Sequence, residues 1–433
     1  MGNQSKEIKK RLFTVIRQVC QDRQKHIVNP DKNFTRHRKL SFETLCKTIL
    51  AMGGQSLNAE LQQQFHFDPT AATTSAFVQQ RSKILPSAFE AIFHDFTAAD
   101  RFLQKWNGYR LLAVDGSHVQ ISTDTNDKKT YFNSTKDGRG YNLLHLNALY
   151  DLENRIYLDA LIQNGREENE SQALVEMVDR SEINEPTILI ADRGYEAYNN
   201  IAHIEQKGWY YVIRVKEKQG ILSGLTLPDT AEFDARFQYT LSKRLTNRIR
   251  NNPHRYRWIP NKVKFDYITD HSDELYEISF RAVRFWISDE VSETVITNLP
   301  TEFFSPQILK KLYRRRWGIE TAFRGIKYTL ALTSFHTKKL LHIHQEIYAK
   351  LTLYNFAAML MRQVAFSQPN GCYLYQINSA AATHVARQFL LGNVHERNVA
   401  ELITKYLLPI RPGQQKPRNM RVKRPSSFQY RMV

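Results

Sequence analysis

Cysteine is scarce in this chain. The three present, Cys20, Cys46 and Cys372, lie far apart and form no Cys-x-x-Cys pair. That excludes a disulfide framework and a cysteine-built zinc site, and it fits a reducing, cytoplasmic setting. Long apolar runs are missing too. Nothing approaches the ~20 residues that a membrane-spanning helix needs, and the opening MGNQSKEIKKRLF holds no apolar signal region. Negative charge is in short supply: 61 lysines and arginines face 43 acidic residues among 433, a net charge of +18. A cation of that size calls for a polyanion, usually nucleic acid. An anionic membrane is the weaker competitor without a spanning segment. With 42% hydrophobic and 12% aromatic residues, the chain can bury a core and fold as two to four domains of ~100–200 residues each.

The most informative stretch runs from Tyr313 to Lys327, YRRRWGIETAFRGIK, and its pattern predicts one helix. Tyr313, Arg316, Glu320 and Lys327 follow one another at steps of 3, 4 and 7 residues. Those steps return to one face of a 3.6-residue helix. The face carries one carboxylate among cations and a phenol. A carboxylate can hold a divalent metal through oxygen, and Arg and Lys beside it can grip phosphates. A surface helix with solvated i,i+4 pairs carries the same pattern, so the helix alone does not decide.

Two more carboxylates stand where strands are expected to end. Asp115 closes the apolar run of YRLLAVDGSHVQI, and Asp192 closes TILIAD. A short apolar run ending in Asp delivers a carboxylate to a sheet edge, although either Asp could equally mark a plain turn. Two such Asp residues and a helical Glu make the three-carboxylate set that can hold two metal ions ~3.5–4 Å apart for in-line phosphoryl transfer.

With these residues the chain resembles the bacterial insertion-sequence transposases of the DDE type, in the group marked by a Tyr-x2-Arg-x3-Glu-x6-Lys signature. Tyr313, Arg316, Glu320 and Lys327 match it at every spacing. The likeness extends to Trp317 and Ile319, to Asp115-Gly116-Ser117 and to Ala191-Asp192-Arg193-Gly194-Tyr195, and it covers roughly residues 40 to 360. The resemblance implies an α/β fold: a ribonuclease H-like catalytic core interrupted by a β-rich insertion, with an α-helical N-terminal DNA-binding region. It makes Asp115, Asp192 and Glu320 the catalytic, metal-binding carboxylates for two Mg²⁺ ions, with Mn²⁺ able to substitute. It places Tyr313, Arg316 and Lys327 on the phosphate at the element end, and Arg193 against DNA or an acid. The expected partners are double-stranded DNA, as element end and target, and a second copy of the chain. The implied reaction is nicking, a hairpin intermediate in some group members, and joining to target DNA. A non-catalytic DNA-binding regulator, or a nuclease of the same fold that cuts without joining, are the alternatives.

In chain order the expected units are residues 1–100, helical and DNA-binding; 101–216, first part of the core; 217–300, the insertion; 301–370, the part with the Glu320 helix; and 371–433, helices and a basic tail. Residues 1–39 suggest a basic helical arm. Ser41 and Ser56 are expected helix caps, Gly53-Gly54 a break, and Thr74 or Ser75 the start of a third helix. That helix would present Gln79, Gln80 and Arg81 to base edges if the trio is a helix-turn-helix, or serve as a cap on the core if it is a bundle. Three strands are expected over 109–162, joined by a loop whose Lys128, Lys129, Lys136 and Arg139 can touch phosphates or simply solvate it. A helix over 167–183, strand TILIAD, a helix and strand WYYVIRVK follow, with the first strand central beside the second-Asp strand. Alternation in RFQYTLS, HRYRWIP, KVKFDYITD, LYEISFRAVRFWIS and TVITNL predicts the β-rich part. There Arg244, Arg248, Arg250, Arg255 and Arg257 interleave with Tyr256 and Trp258, a mixture suited to backbone gripping and base stacking or to a charged sheet face. Trp286, Trp317 and Ile319 are expected in packing roles, and His118 in a structural one. His342, His344 and Gln345 are expected on a surface face of a helix over 338–365. The tail 411–433, with seven basic residues and no acid, is expected to be extended when alone.

Overall fold

The computed structural model describes residues 2–36, 38–100, 103–133, 140–217, 219–288, 291–368 and 373–410. Lys136, Arg139, Cys372 and the basic tail therefore lie outside the described residues. The strand that orders the rest is β1 (Arg110–Ile121). It pairs antiparallel with β3 (Tyr141–Asp151) on one side and parallel with β5 (Thr187–Ala191) on the other. β3 also pairs β2 (Tyr131–Phe132) and β4 (Ile156–Asn164). β5 pairs parallel with β6 (Tyr210–Val215).

Parallel neighbours need a crossover, and α6 (Glu170–Asp179) and α7 (Tyr198–Gln206) supply them. Both pack on one face of the sheet. Leu112 and Val114 of β1, Leu189 and Ala191 of β5 and Ile213 of β6 point into that layer with Leu174, Met177 and Ile201. The alternate residues point the other way. Leu111, Ile188, Ile190 and Val212 meet Leu309, Leu312 and Tyr313, and Ala113 joins Ile319 and Ala322. Being buried on both faces explains the near-continuous apolar runs of β1 and β5.

The β-rich segment does not form a sheet of its own. β10 (Val291–Thr297) is hydrogen-bonded to β6, and β9 (Leu275–Ser288), β7 (Phe233–Ser242) and β8 (Tyr256–Trp258) extend the same ten-stranded sheet. A one-turn helix, α8 (Asn247–Arg250), lies between β7 and β8. KVKFDYITD is no strand; Phe265 and Ile268 anchor it as an irregular segment against α7 and β9. Tyr256 is buried, whereas Trp258 is exposed. Trp286 is exposed as well, not packed in the core as expected; it shares the parity of the buried Ile278, Phe280 and Ala282 but stands near the end of β9.

The helical half is one cluster. α1 (Gly2–Gln21), α2 (Phe42–Ala51) and α5 (Ser87–Ala98) pack on α11 (Leu340–Arg362) and α12 (Ser379–Leu391). The expected free arm is thus corrected: Ile8, Leu12, Val15, Ile16 and Val19 recur at helical spacing and all are buried. Ser41 and Ser56 cap α2 and α3 (Leu57–Gln64) through their hydroxyls. α4 (Thr74–Arg81) starts at Thr74, as expected, and is capped by Thr73. Arg81 does not face outward. It is 1% exposed and donates to Gln345 Oε1 at 2.8 Å, Glu346 Oε1 at 2.9 Å and the His342 carbonyl at 2.6 Å. His342 and Gln345 are buried too, so α11 is a central helix, not one with a surface His face. Burial and the neighbouring Arg81 push His342 down to about 4. α13 (Val399–Thr404) and the hairpin of β11 (Leu374–Ile377) with β12 (Leu407–Ile410) complete the fold.

Candidate active site

The register of the parallel pair decides where the two aspartates stand. Leu112 is opposite Leu189 and Ala113 opposite Ile190, an offset of 77 residues. Asp115 and Asp192 differ by the same 77, so one register row joins them just past the paired residues. Neighbouring strands lie ~4.8 Å apart, and residues in one row project to the same face. That face is the one carrying Leu111, Ala113, Ile188 and Ile190, the side of α9 (Pro306–Arg315) and α10 (Trp317–Arg324).

The expected single helix is broken there. α9 ends at Arg315, Arg316 bridges to α10 with tight i→i+3 bonds (its N–H to the Tyr313 carbonyl, its carbonyl from the Ile319 N–H), and a π-turn spans Gly325–Thr329. The signature residues still converge. Arg316 is 5% exposed and donates Nη2 to Glu320 Oε1 at 2.8 Å. Lys327 Nζ donates to Ser117 Oγ at 2.7 Å, two residues past Asp115 on the same face. Tyr313 is buried, with Arg316, Arg214 and Asp192 acting on its phenol, and burial pushes it up to about 12. Ile319 is buried as expected. Trp317 is 54% exposed, contrary to its expected packing role, with the Arg316 guanidinium 5.5 Å from its ring. Arg193 is exposed, and its N–H donates to Asp192 Oδ1 at 2.6 Å. It lines an open groove of about 550 Å³ with Arg214, Lys216, Glu217 and Glu293.

Two carboxylates already have cationic partners. Asp192 Oδ1 is 2.7 Å from Arg214 Nη2, and Glu320 is held by Arg316. Asp115 forms no ion pair among the described residues, although Arg316 and Lys327 act on it from further away. Burial pushes its carboxyl up to about 6, the Gly116 N–H and Arg316 pull it down, and Glu320 and Glu170 push it further up. An under-compensated buried carboxylate beside two others is a demand for positive charge.

Residues 106–356 match the family model described as the transposase DDE domain. The chain belongs to that family. No curated protein matches it. Among solved structures it is similar to a piggyBac transposase in a cryo-EM synaptic complex with hairpin DNA, at 8% identity and a TM-score of 0.49, over 91% of this chain and 81% of that one. DDE transposases use divalent metal ions. The residues here fit such ions: the donors are all carboxylate oxygens, which suit hard dications such as Mg²⁺ and Mn²⁺. The hydroxyls of Tyr195 and Tyr313 and the Nε of Arg316 are buried around them without a hydrogen-bond partner.

Sequence reasoning missed three residues that stand around these carboxylates in the DDE domain. Arg214 lies on β6, where Tyr211 and Ile213 face α7 and the intervening register turns Arg214 toward Asp192. A polar residue inside the apolar run WYYVIRVK was the available signal. Tyr195 is 1% exposed on the α6 side, and the charges acting on it are Glu170, Asp115, Asp192 and Arg316. Glu170 opens α6 and touches the backbones on which both aspartates stand. A Cβ on Gly116 would come within 2.4 Å of its Oε1, and one on Gly194 within 3.4 Å of its Oε2.

Proposed function

We propose that this protein is a DNA transposase that binds the ends of an insertion element, cleaves them and joins them to target DNA. The observation that carries the reading is the shared register row of Asp115 and Asp192, turned toward the Glu320 helix. The order of β4, β3, β1, β5 and β6 favours a ribonuclease H-like core, with β7 to β10 as the segment inserted between the second Asp and Glu320. Two bound Mg²⁺ ions would activate a water or 3′-hydroxyl and neutralise the leaving oxygen. Asp115, Asp192 and Glu320 would hold them, and Mn²⁺ would serve in their place.

The remaining steps belong to the chain's own groups. Lys327, tied to Ser117 beside Asp115, supplies a positive charge that a scissile phosphate can take over. Arg316 orients Glu320 and offers its free Nε edge to the same strand, while Arg214 fixes Asp192 and the unpartnered Tyr313 hydroxyl is left for the phosphate. Arg193 and the groove beside Asp192 receive the flanking backbone. Two copies bridging two ends, and a hairpin intermediate, belong to this reading as its finer parts.

The test is incubation of purified protein with Mg²⁺, a labelled duplex carrying its own element end and a supercoiled target. Nicked or hairpin ends and joined products, all lost in Glu320→Gln, are expected. Cutting without joining would favour a nuclease; tight binding with no cutting in Mg²⁺ or Mn²⁺ would favour a regulator. In the same system Lys327→Ala should weaken end binding and make the salt dependence shallower by about one released ion. A salt slope equal to that of wild type removes Lys327 from the phosphate.

A further inference from the structure

Behind Asp115, on the other face of β1, two histidines and a glutamate converge. His118 and His145 are direct cross-strand partners of β1 and β3. Their rings stand edge to face with centroids 4.9 Å apart. Glu168, on the approach to α6, brings Oε2 to 2.7 Å from His118 Nε2 and 3.1 Å from His145 Nδ1. One ligand atom from each of the three lies within 4.8 Å of the others.

His145 is 3% exposed, and its Nδ1, although within ion-pair distance of Glu168, makes no aligned hydrogen bond. Its other nitrogen, Nε2, is 3.1 Å from Glu170 Oε1. A carboxylate accepting from one ring nitrogen fixes the tautomer and leaves the opposite lone pair free, which is how metal-bound histidines are commonly held. A neutral ring donating Nε2–H to Glu170 turns its Nδ1 lone pair toward Glu168 Oε2, the position that a bound cation would share. Gly116 makes the arrangement possible, since a Cβ there would lie 2.2 Å from His145 Nε2.

We infer that His118, His145 and Glu168 form a binding site for one transition-metal dication of the zinc class, separate from the three carboxylates on the opposite face. Two imidazoles and one carboxylate select zinc-like ions over Mg²⁺ and Ca²⁺, which want oxygen only. Three protein ligands leave a fourth position open to solvent, on the side where His118 and Glu168 are about half exposed. Closing Zn–N bonds of ~2.0–2.1 Å needs only rotation of those two side chains. The bound ion would link β1, β3 and the approach to α6, on the opposite face of the strand that carries Asp115.

The experiment uses untagged full-length protein carrying Glu320→Gln, so that a weakened carboxylate site does not obscure the result. Co²⁺ is titrated by its visible absorption, and Zn²⁺ by competition with a chromophoric chelator. One equivalent should bind with the spectrum of a four- or five-coordinate ion, and millimolar Mg²⁺ should not displace it. His118→Ala and Glu168→Gln, at exposed positions that the fold does not need, should each weaken binding at least tenfold. Glu170→Gln should weaken it by ~10–100-fold by loosening His145. Wild-type affinity in both His118→Ala and Glu168→Gln, or no stoichiometric Co²⁺ binding at all, would overturn the assignment. Neither result bears on whether the protein cuts DNA.

Discussion

Asp115→Asn should stop strand cleavage, with a rate loss on the order of 10³-fold or more, and at the same time make the metal-free protein harder to melt. The first effect follows from the proposed role of Asp115 as a metal-binding carboxylate, whose charge stabilisation would amount to several kcal/mol at ~1.4 kcal/mol per tenfold in rate. The second follows from burial. A carboxyl raised from 3.8 to about 6 holds a proton in the folded state that the unfolded chain has released. Stability then falls as pH rises from ~4 to ~6, because the folded form is the one binding more protons in that window. Asparagine carries no charge and removes the slope, a gain on the order of 2 kcal/mol at neutral pH and a few degrees in melting temperature. Melting curves of wild type and variant in EDTA at pH ~4 and ~7 check it: the curves should separate only at the higher pH. Added Mg²⁺ should raise the wild type and leave the variant nearly unmoved. A variant that cuts at the wild-type rate would remove Asp115 from the site.

Arg81→Ala should be among the most destabilising single substitutions in the chain. The guanidinium is 1% exposed and makes three hydrogen bonds to α11. Its loss leaves Glu346, also fully buried, with His336 and the more distant Lys350. Breaking one partner out of a buried pair costs about 3–5 kcal/mol, a fall of roughly 6 °C or more. Burial by itself would raise Glu346, but Arg81 and His336 outweigh it and hold the carboxyl well below the ordinary range. The stability this supplies is present above pH ~4.5 and is lost as pH falls below it. The deficit of Arg81→Ala should therefore shrink on acidification. Arg81→Met with Glu346→Leu should recover part of the loss, since an apolar pair of similar volume leaves no orphaned charge. A base-reading role for Arg81 predicts the opposite pattern: relaxed sequence preference in DNA binding at unchanged melting temperature.

These two cases also show what the sequence could and could not reveal. Asp115 and Asp192 were legible because both end apolar runs, and strands buried on both faces have a simple signature. Glu320 was legible through its spacing to Arg316 and Lys327. The break at Arg316 was not, since no proline interrupts the stretch from Tyr313 to Lys327. Arg81 looked like a solvent-facing residue of a polar helix; its partners are 261 to 265 residues away. His342 and Gln345 were misjudged for the same reason, as α11 is buried on nearly all sides and shows no apolar stripe. Trp286 and Trp317 erred in the other direction: a large aromatic is expected inside, but Trp286 stands near the end of its strand and helix phase turns Trp317 outward. Glu170 gave only the signal of an acidic first helical turn, which is ordinary.

The helical half has a further consequence in time. α1 buries Ile8, Leu12 and Ile16 in the cluster that α11 and α12 also build, and those helices leave the ribosome more than three hundred residues later. At ~5–20 residues per second, the cluster that α1 starts with α2 and α5 waits roughly 15 seconds to a minute for its central helix, with its apolar stripe covered only in part. During synthesis the chain is thus least finished where its first residues are. Chaperone capture or misassociation of nascent chains should begin at that stripe, well before the catalytic residues are assembled.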